Sequence, residues 1–520
     1  MPWANDTRSW PLLRAPSRPR SVRERRDREA SLESASLLAG LWLAAAVLAG
    51  ATLREGVQPH DEGLILQAAQ RIADGQLPYR DFWTNYGPGQ PLLLGALTKL
   101  LGPSLLTWRL MRLAIGATVA LLAFTLARRH APRSWALVAW IGAAGAMAFP
   151  TGPGPNPAAL ALGLGAIALA RRAPAGAGGL AGAAALFRPD LGAAATVGVL
   201  IATGRGGAAR ALLAAAGTGA LLYLPFLVAA PGELLDQIVG FAGIQGLQRL
   251  PFPLDYTGPA DPDKVLEFYG PAILIAGLAV WGASAVARRP SLEEWALAPL
   301  AVAGGLYLLA RTDEFHLTPL SVVLAPMLAI AAAELRRPEA RIALALALAL
   351  VVAQGLERQL ALVVHPAGDR APALAVADGV RVPDADAAAL EATARFVDAR
   401  VPRGAPIFVA NPRHDIVRVG NPLLYVLLGR PNPTRYDVMQ PGVVTTAPVQ
   451  REMVADLRRA APALVVRWLD PTASRPEPNG AGRSSGVRIL DSYLATAYRP
   501  VARFGDYQLL SAVPRRAALG

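Results

Sequence analysis

Polar and apolar positions segregate along the chain into long blocks. An apolar run at 34–53 is long enough to cross a bilayer, and further runs follow at 105–127, 134–149, 158–170, 211–230, 271–287, 292–310, 317–335 and 342–356. Two shorter runs, 176–187 and 191–203, are separated by Arg188-Pro189-Asp190. Short helices meeting at such a polar kink are tolerated only where the kink faces protein or water. The pattern predicts about eleven crossings. The run at 90–101 is too short to cross and predicts a helix lying on the membrane surface.

The stretch between the first span and that surface helix has a different texture. His60, Asp61 and Glu62 are three adjacent ionisable groups. An amphipathic helix follows, with Leu64, Ile65, Ala68, Ala69 and Ile72 on one face and Gln67, Gln70, Arg71 and Asp74 on the other. Gly75 is its stop. A loop containing Tyr79, Arg80, Asp81, Trp83, Asn85 and Tyr86 then closes on Gly87-Pro88-Gly89. A polar segment placed directly after a membrane span forms the roof of a site at the membrane surface.

From about residue 360 the pattern changes again. Residues 385–401, 449–459 and 487–498 carry helical periodicity, whereas 407–410, 464–469 and 507–513 are short apolar strands. This segment predicts a small α/β domain at 358–520 on the outer side. It has no glycine-rich phosphate fingerprint, so a nucleotide-binding domain is not assigned.

Composition supports the membrane class: 53% of the residues are hydrophobic and the mean hydropathy is +0.34. The net charge of +13 comes almost wholly from arginine, because Lys99 and Lys264 are the only lysines. A basic chain can bind nucleic acid, but here the Arg pairs sit at the ends of apolar runs, which points to orientation in a membrane instead. Residues 1–33 are an Arg-rich segment expected to be disordered and cytoplasmic, ahead of an uncleaved anchor. The membrane body spans 34–357, with its first outer loop at 54–104. There is no cysteine, so disulfides and thiolate metal sites are excluded. No pair of His stands at metal-ligand spacing, and a divalent cation stays open.

Several cations lie away from the inner side. Arg109 and Arg112 fall near the outer end of the second span, and Arg188 and Arg311 lie between spans. A guanidinium held there needs a partner and is a functional candidate. From the residues alone, Asp61 reads either as a catalytic carboxylate or as a helix N-cap with Glu62 in the first turn. Arg188 and Asp190 read as an anion site or as a structural ion pair. The aromatic loop residues read as sugar contacts or as an interfacial belt. The loop Asn411-Pro-Arg-His414-Asp415 is a further polar turn after a strand.

The order of apolar span, Asp61-Glu62, short helix, Gly75-x-x-Pro78-Tyr79-x-Asp81-x-Trp83 and Gly87-Pro88-Gly89 resembles the first outer loop of the GT-C glycosyltransferases. It is most similar to the family 39-like branch of protein O-mannosyltransferases and lipid A aminoarabinose and galacturonic acid transferases. The resemblance implies a multi-pass helical GT-C-like membrane protein of the plasma (inner) membrane, with its N-terminus cytoplasmic and an α/β domain outside. It implies inverting transfer of a sugar from a polyprenyl-phosphate donor to a hydroxyl on a glycan, lipid or protein, with no nucleic acid involved. Asp61 matches the family's base, with Glu62 beside it. Arg188, Arg311 and His316 are the expected partners of the donor phosphate, Arg188 standing where relatives often carry Lys. His60, Tyr79, Arg80, Asp81, Trp83, Asn85, Tyr86 and Asp190 are expected to support the site or bind substrate. A transporter or flippase of a lipid-linked substrate, and an inactive scaffold of the same architecture, are the competing expectations.

Overall fold

A computed structural model describes residues 20–148, 154–249, 281–282, 292–311, 314–335, 338–474 and 479–513. The first helix, α1 (Arg20–Gly50), starts well ahead of the apolar run. The second half of the Arg-rich segment is thus helical and not the disordered tail expected. Residues 20–39 contain no Pro or Gly and are rich in Arg, Glu, Ala and Leu, all good helix formers.

The surface hairpin consists of α2 (Asp61–Ala73) and α3 (Gly89–Leu101). They touch closely at Gly95, where a methyl group would lie 2.8 Å from the Ile72 side chain. Leu93, Leu100 and Leu101 of α3 stay exposed.

The membrane body follows as α4 (Leu105–Arg128), α5 (Arg133–Met147), α6 (Asn156–Leu169), α7 (Pro174–Phe187) and α8 (Pro189–Ala229). Two short helices, α9 (Pro231–Leu235) and α10 (Phe241–Gln245), flank one π-helical turn. The body continues with α11 (Leu292–Trp295), α12 (Ala298–Ala310), α13 (Glu314–Glu334) and α14 (Pro338–Val364). Among the described residues three helical stretches are long and apolar enough to cross a membrane: Leu105–Arg128, Pro189–Ala229 and Phe315–Glu334. Shorter apolar helices run over Ser34–Gly50, Asn156–Leu169, Pro174–Phe187 and Ala298–Ala310. The crossing expected at 271–287 lies outside the described residues except for 281–282.

Helix α8 is broken at Gly204 (φ 60°, ψ −170°), a conformation glycine adopts without steric cost. Its two halves coincide with the separate runs 191–203 and 211–230. Small residues let α7 pack backbone to backbone on the second half: a methyl on Gly178 would sit 2.0 Å from the Ala211 carbonyl oxygen. Leu160, Leu164, Ile167, Val199, Leu300 and Leu324 fill the centre of this bundle.

The outer part carries α15 (Asp384–Asp398), β1 (Phe408–Ala410), α16 (Leu423–Leu428), α17 (Ala447–Ala460), β2 (Leu464–Trp468), α18 (Ile489–Ala497), β3 (Tyr498–Phe504) and β4 (Tyr507–Ala512). The sheet order is β1-β2-β4-β3, with β1 and β2 parallel and the remaining pairs antiparallel. Two elements were not expected. Strand β3 is an edge strand interrupted by Pro500 and a register shift, and an edge tolerates both. The apolar run of α16 is wholly buried, so it shows no periodicity.

Candidate active site

The first outer loop is held from two sides. From the membrane side, Arg109 of α4 donates to both carboxylate oxygens of Glu62, at 2.8 and 3.0 Å, with both side chains fully buried. Arg109 also donates to the carbonyls of Leu53 and Gly56, at 2.9 and 2.7 Å. Arg109 therefore has its partner, and Glu62 is committed to it. From the outer side, the Gly420 backbone N–H donates to His60 Nδ1 at 3.2 Å. His60 is buried, and burial pushes its imidazole pKa below the ordinary value against the pull of Asp61.

Asp61 stands between these anchors as the first residue of α2, half-buried. The N-cap position is His60, and no side chain caps the helix. The capping bond considered for Asp61 is not made. Its carboxylate enters no hydrogen bond or ion pair among the described residues. The helix N-terminus favours its negative charge.

The aromatic loop packs into protein. Tyr79 is fully buried at φ 70°, donates its hydroxyl to the Tyr86 carbonyl at 2.8 Å and meets Phe226 edge-on. Its own carbonyl accepts from Arg435 at 2.6 Å and from Gln237 at 3.2 Å. Trp83 is buried against Phe241, and its backbone N–H donates to the Arg435 carbonyl at 2.9 Å. Arg80 is exposed and forks onto Asp81, which also accepts the Leu77 N–H at 2.7 Å. That guanidinium holds the Asp81 carboxyl below its ordinary range. Asn85 keeps a buried amide oxygen without a partner. The loop ends on α7: a methyl at Gly87 would lie 2.2 Å from the Leu186 carbonyl oxygen, so only glycine lets this turn seat one step from Arg188.

The second half of the site lies where α7 gives way to α8. Arg188, extended at φ −141°, forks onto Asp190 at 2.8 and 2.5 Å and donates to Asn156 at 2.9 Å. Its guanidinium lies 4.2 Å from the centre of the Tyr307 ring, and that ring lies 4.3 Å from the His316 ring. Three of five guanidinium N–H donors are thus taken by Asp190 and Asn156. Arg188 and Asp190 stand at the polar end of a cleft of about 620 Å³ whose other walls are apolar, including Ile201, Trp295, Val302 and Leu306. Arg311 directly follows Ala310, the last lining residue on α12. Asp61 does not line this cleft; the Gly87 turn joins the two halves.

Among the described residues the acidic side chains of Glu62 and Asp81 in the loop and of Asp190 in the cleft are tied to arginines. Glu62 is bound by Arg109, Asp190 by Arg188, and no group of three or more His, Asp or Glu that could hold a metal exists among the described residues. Sequence reasoning missed Asn156, Tyr307 and Gly420. Asn156 between two prolines and Tyr307 in an aliphatic helix were visible departures from their surroundings, whereas Gly420 acts through its backbone and left no signal. The turn after β1 is also internally bonded: His414 Nδ1 contacts Asp491 at 2.7 Å, and Asp415 accepts from Arg413 at 2.6 and 2.9 Å.

No protein-family profile matches the sequence, and no curated protein matches it. Solved structures do. ArnT from Cupriavidus metallidurans in the apo state aligns over 94% of this chain and 100% of its own, with a TM-score of 0.54 and 13% identity. The archaeal oligosaccharyltransferase AglB from Archaeoglobus fulgidus, solved with an inhibitory peptide and a dolichol-phosphate, aligns over 84% of this chain and 70% of its own, with a TM-score of 0.52 and 13% identity. A further structure of the Archaeoglobus fulgidus oligosaccharyltransferase, in complex with Zn and sulfate, covers 83% of this chain and 68% of its own at a TM-score of 0.51 and 14% identity. Such identities speak for architecture alone, and on that ground the chain shares the fold of ArnT and AglB.

Proposed function

We propose that the chain is an inverting glycosyltransferase that moves a sugar from a polyprenyl-phosphate donor to an acceptor hydroxyl at the outer face of the membrane. The observation that carries this is the cleft between α8 and α12, apolar along its length with the Arg188 guanidinium at one end. A prenyl chain fits such walls, and its phosphate fits such an end. The fold shared with ArnT supports the same reading.

Asp61 is the base. The acceptor oxygen attacks the anomeric carbon while the bond from that carbon to the phosphate oxygen breaks. The acceptor proton passes to Asp61, and the bond pair leaves with polyprenyl phosphate. Arg188 offsets the charge that grows on the leaving phosphate, with Arg311 and His316 near the same end. Glu62 fixes the backbone that carries Asp61. Tyr79 and Trp83 shape the loop from within protein.

The test is purified protein in detergent with undecaprenyl phosphate bearing mannose, glucose, galacturonic acid or aminoarabinose, products being read by mass spectrometry. Arg188→Lys keeps the charge but loses the fork, so it should raise the donor KM about tenfold or more while the chain stays folded. An unchanged KM contradicts the donor site. A flippase is the second reading, favoured by the lipid-sized cleft and the break at Gly204. Movement of lipid in sealed vesicles that survives Asp61→Asn would favour it.

A further inference from the structure

His60 lies between the proposed base and the outer sheet. The Gly420 N–H can only donate, so His60 Nδ1, 3.2 Å away, carries no proton and the neutral ring holds its proton on Nε2. The surroundings of the ring are few. Helix α2 carries Asp61 and Glu62 next in the chain, and Arg109 of α4 pairs with Glu62 while the buried Arg112 of the same helix also feels that carboxylate. The turn before α16 contributes the Gly420 N–H, with the uncharged Asn421 after it and Arg418 two residues before it. The neighbouring Asp61 carboxylate opposes the effect of burial on the imidazole.

We propose that His60 is a positioning residue that keeps Asp61 available as a base: bonded to Gly420 as a neutral ring, it ties the start of α2 to the outer part and gives Asp61 no cation to pair with. This rests on the proposed role of Asp61. Burial lowers the imidazole pKa and so preserves the neutral form down to mildly acidic conditions. Acidification reverses both effects. A proton arriving on Nδ1 faces the Gly420 N–H donor to donor, which breaks that bond, and the resulting cation pairs with Asp61. Both changes lower transfer in the same direction.

His60→Asn and His60→Ala separate this from simple packing. The Asn side-chain oxygen can accept from Gly420 and does not titrate. Two measurements on the full chain in detergent decide the matter. The first is amide hydrogen exchange at Gly420 against pH, corrected for the intrinsic rate. Wild type should lose protection as pH falls below the ordinary imidazole value, His60→Asn should hold it, and His60→Ala should lack it throughout. The second is kcat against pH with the undecaprenyl-phosphate sugar that supports turnover. His60→Ala should lose at least about tenfold at neutral pH, His60→Asn should recover most of that loss, and its acid limb should lie below that of wild type. Exchange that is the same in His60→Asn and His60→Ala, or an acid limb unmoved in His60→Asn, overturns the proposal. Wild-type turnover in Asp61→Asn overturns the base assignment instead, so the two failures are distinguishable.

Discussion

Asp61 and Glu62 are adjacent carboxylates with different fates, and environment decides between them. Glu62 is sealed against Arg109 from a helix 47 residues away in sequence, whereas Asp61 has no such partner among the described residues. Glu62→Ala leaves a buried guanidinium alone and should cost about 3–5 kcal/mol, visible as a lower melting temperature in detergent. Asp61→Asn should leave that temperature within a degree or two while transfer collapses. The sequence set the two carboxylates side by side but gave no sign of the contact between Glu62 and Arg109, because that contact is long-range. By contrast the Arg188–Asp190 pair was legible because its partners are two residues apart. Stability also has a pH dependence at this scale. Between the ordinary imidazole pKa and the lowered value of His60, the unfolded chain binds a proton that the folded chain refuses, so stability falls as pH drops through that window.

Among the elements, those with a strong period were readable. The amphipathic α2, α15 and α17 and the short surface helix α3 fall within a few residues of their expected bounds. Elements without a period were not: α16 is apolar on every side, and β3 carries a proline and alternates poorly. The glycines of the first outer loop matter through approach distances that only three dimensions reveal. A methyl at Gly63 would lie 2.4 Å from the Leu423 backbone nitrogen, and one at Gly87 2.2 Å from the Leu186 carbonyl oxygen. Gly87→Ala must therefore shift the turn off α7. It should reduce transfer by about a hundredfold, as small misplacements of a reacting group do, with membrane insertion retained. Gly75→Ala is the contrasting case, because no atom crowds a methyl there and its cost comes from a positive φ of 88° alone.

For the whole molecule, the outer part is bonded to the membrane body through the first outer loop. Arg71 of α2 forks onto Asp437 at 2.6 and 3.1 Å and reaches the Thr434 carbonyl at 2.6 Å, all buried. Arg435 and Gly420 add contacts to Tyr79 and His60. Arg71→Met and Asp437→Leu should each destabilise by about 3–5 kcal/mol, while the double substitution should recover much of that loss. Hydrogen exchange over α2 in the full chain measures it. The succession of apolar helices, a polar loop and a small C-terminal sheet was visible in the hydropathy pattern. The clamp was not, because its partners lie 366 residues apart.

The central claim, that Asp61 removes the acceptor proton, is tested most directly by single-turnover transfer from an undecaprenyl-phosphate sugar, comparing wild type with Asp61→Asn. The expected result is a fall of about 10²–10⁴ in the transfer rate with donor binding unchanged. Transfer by Asp61→Asn at the wild-type rate would contradict it.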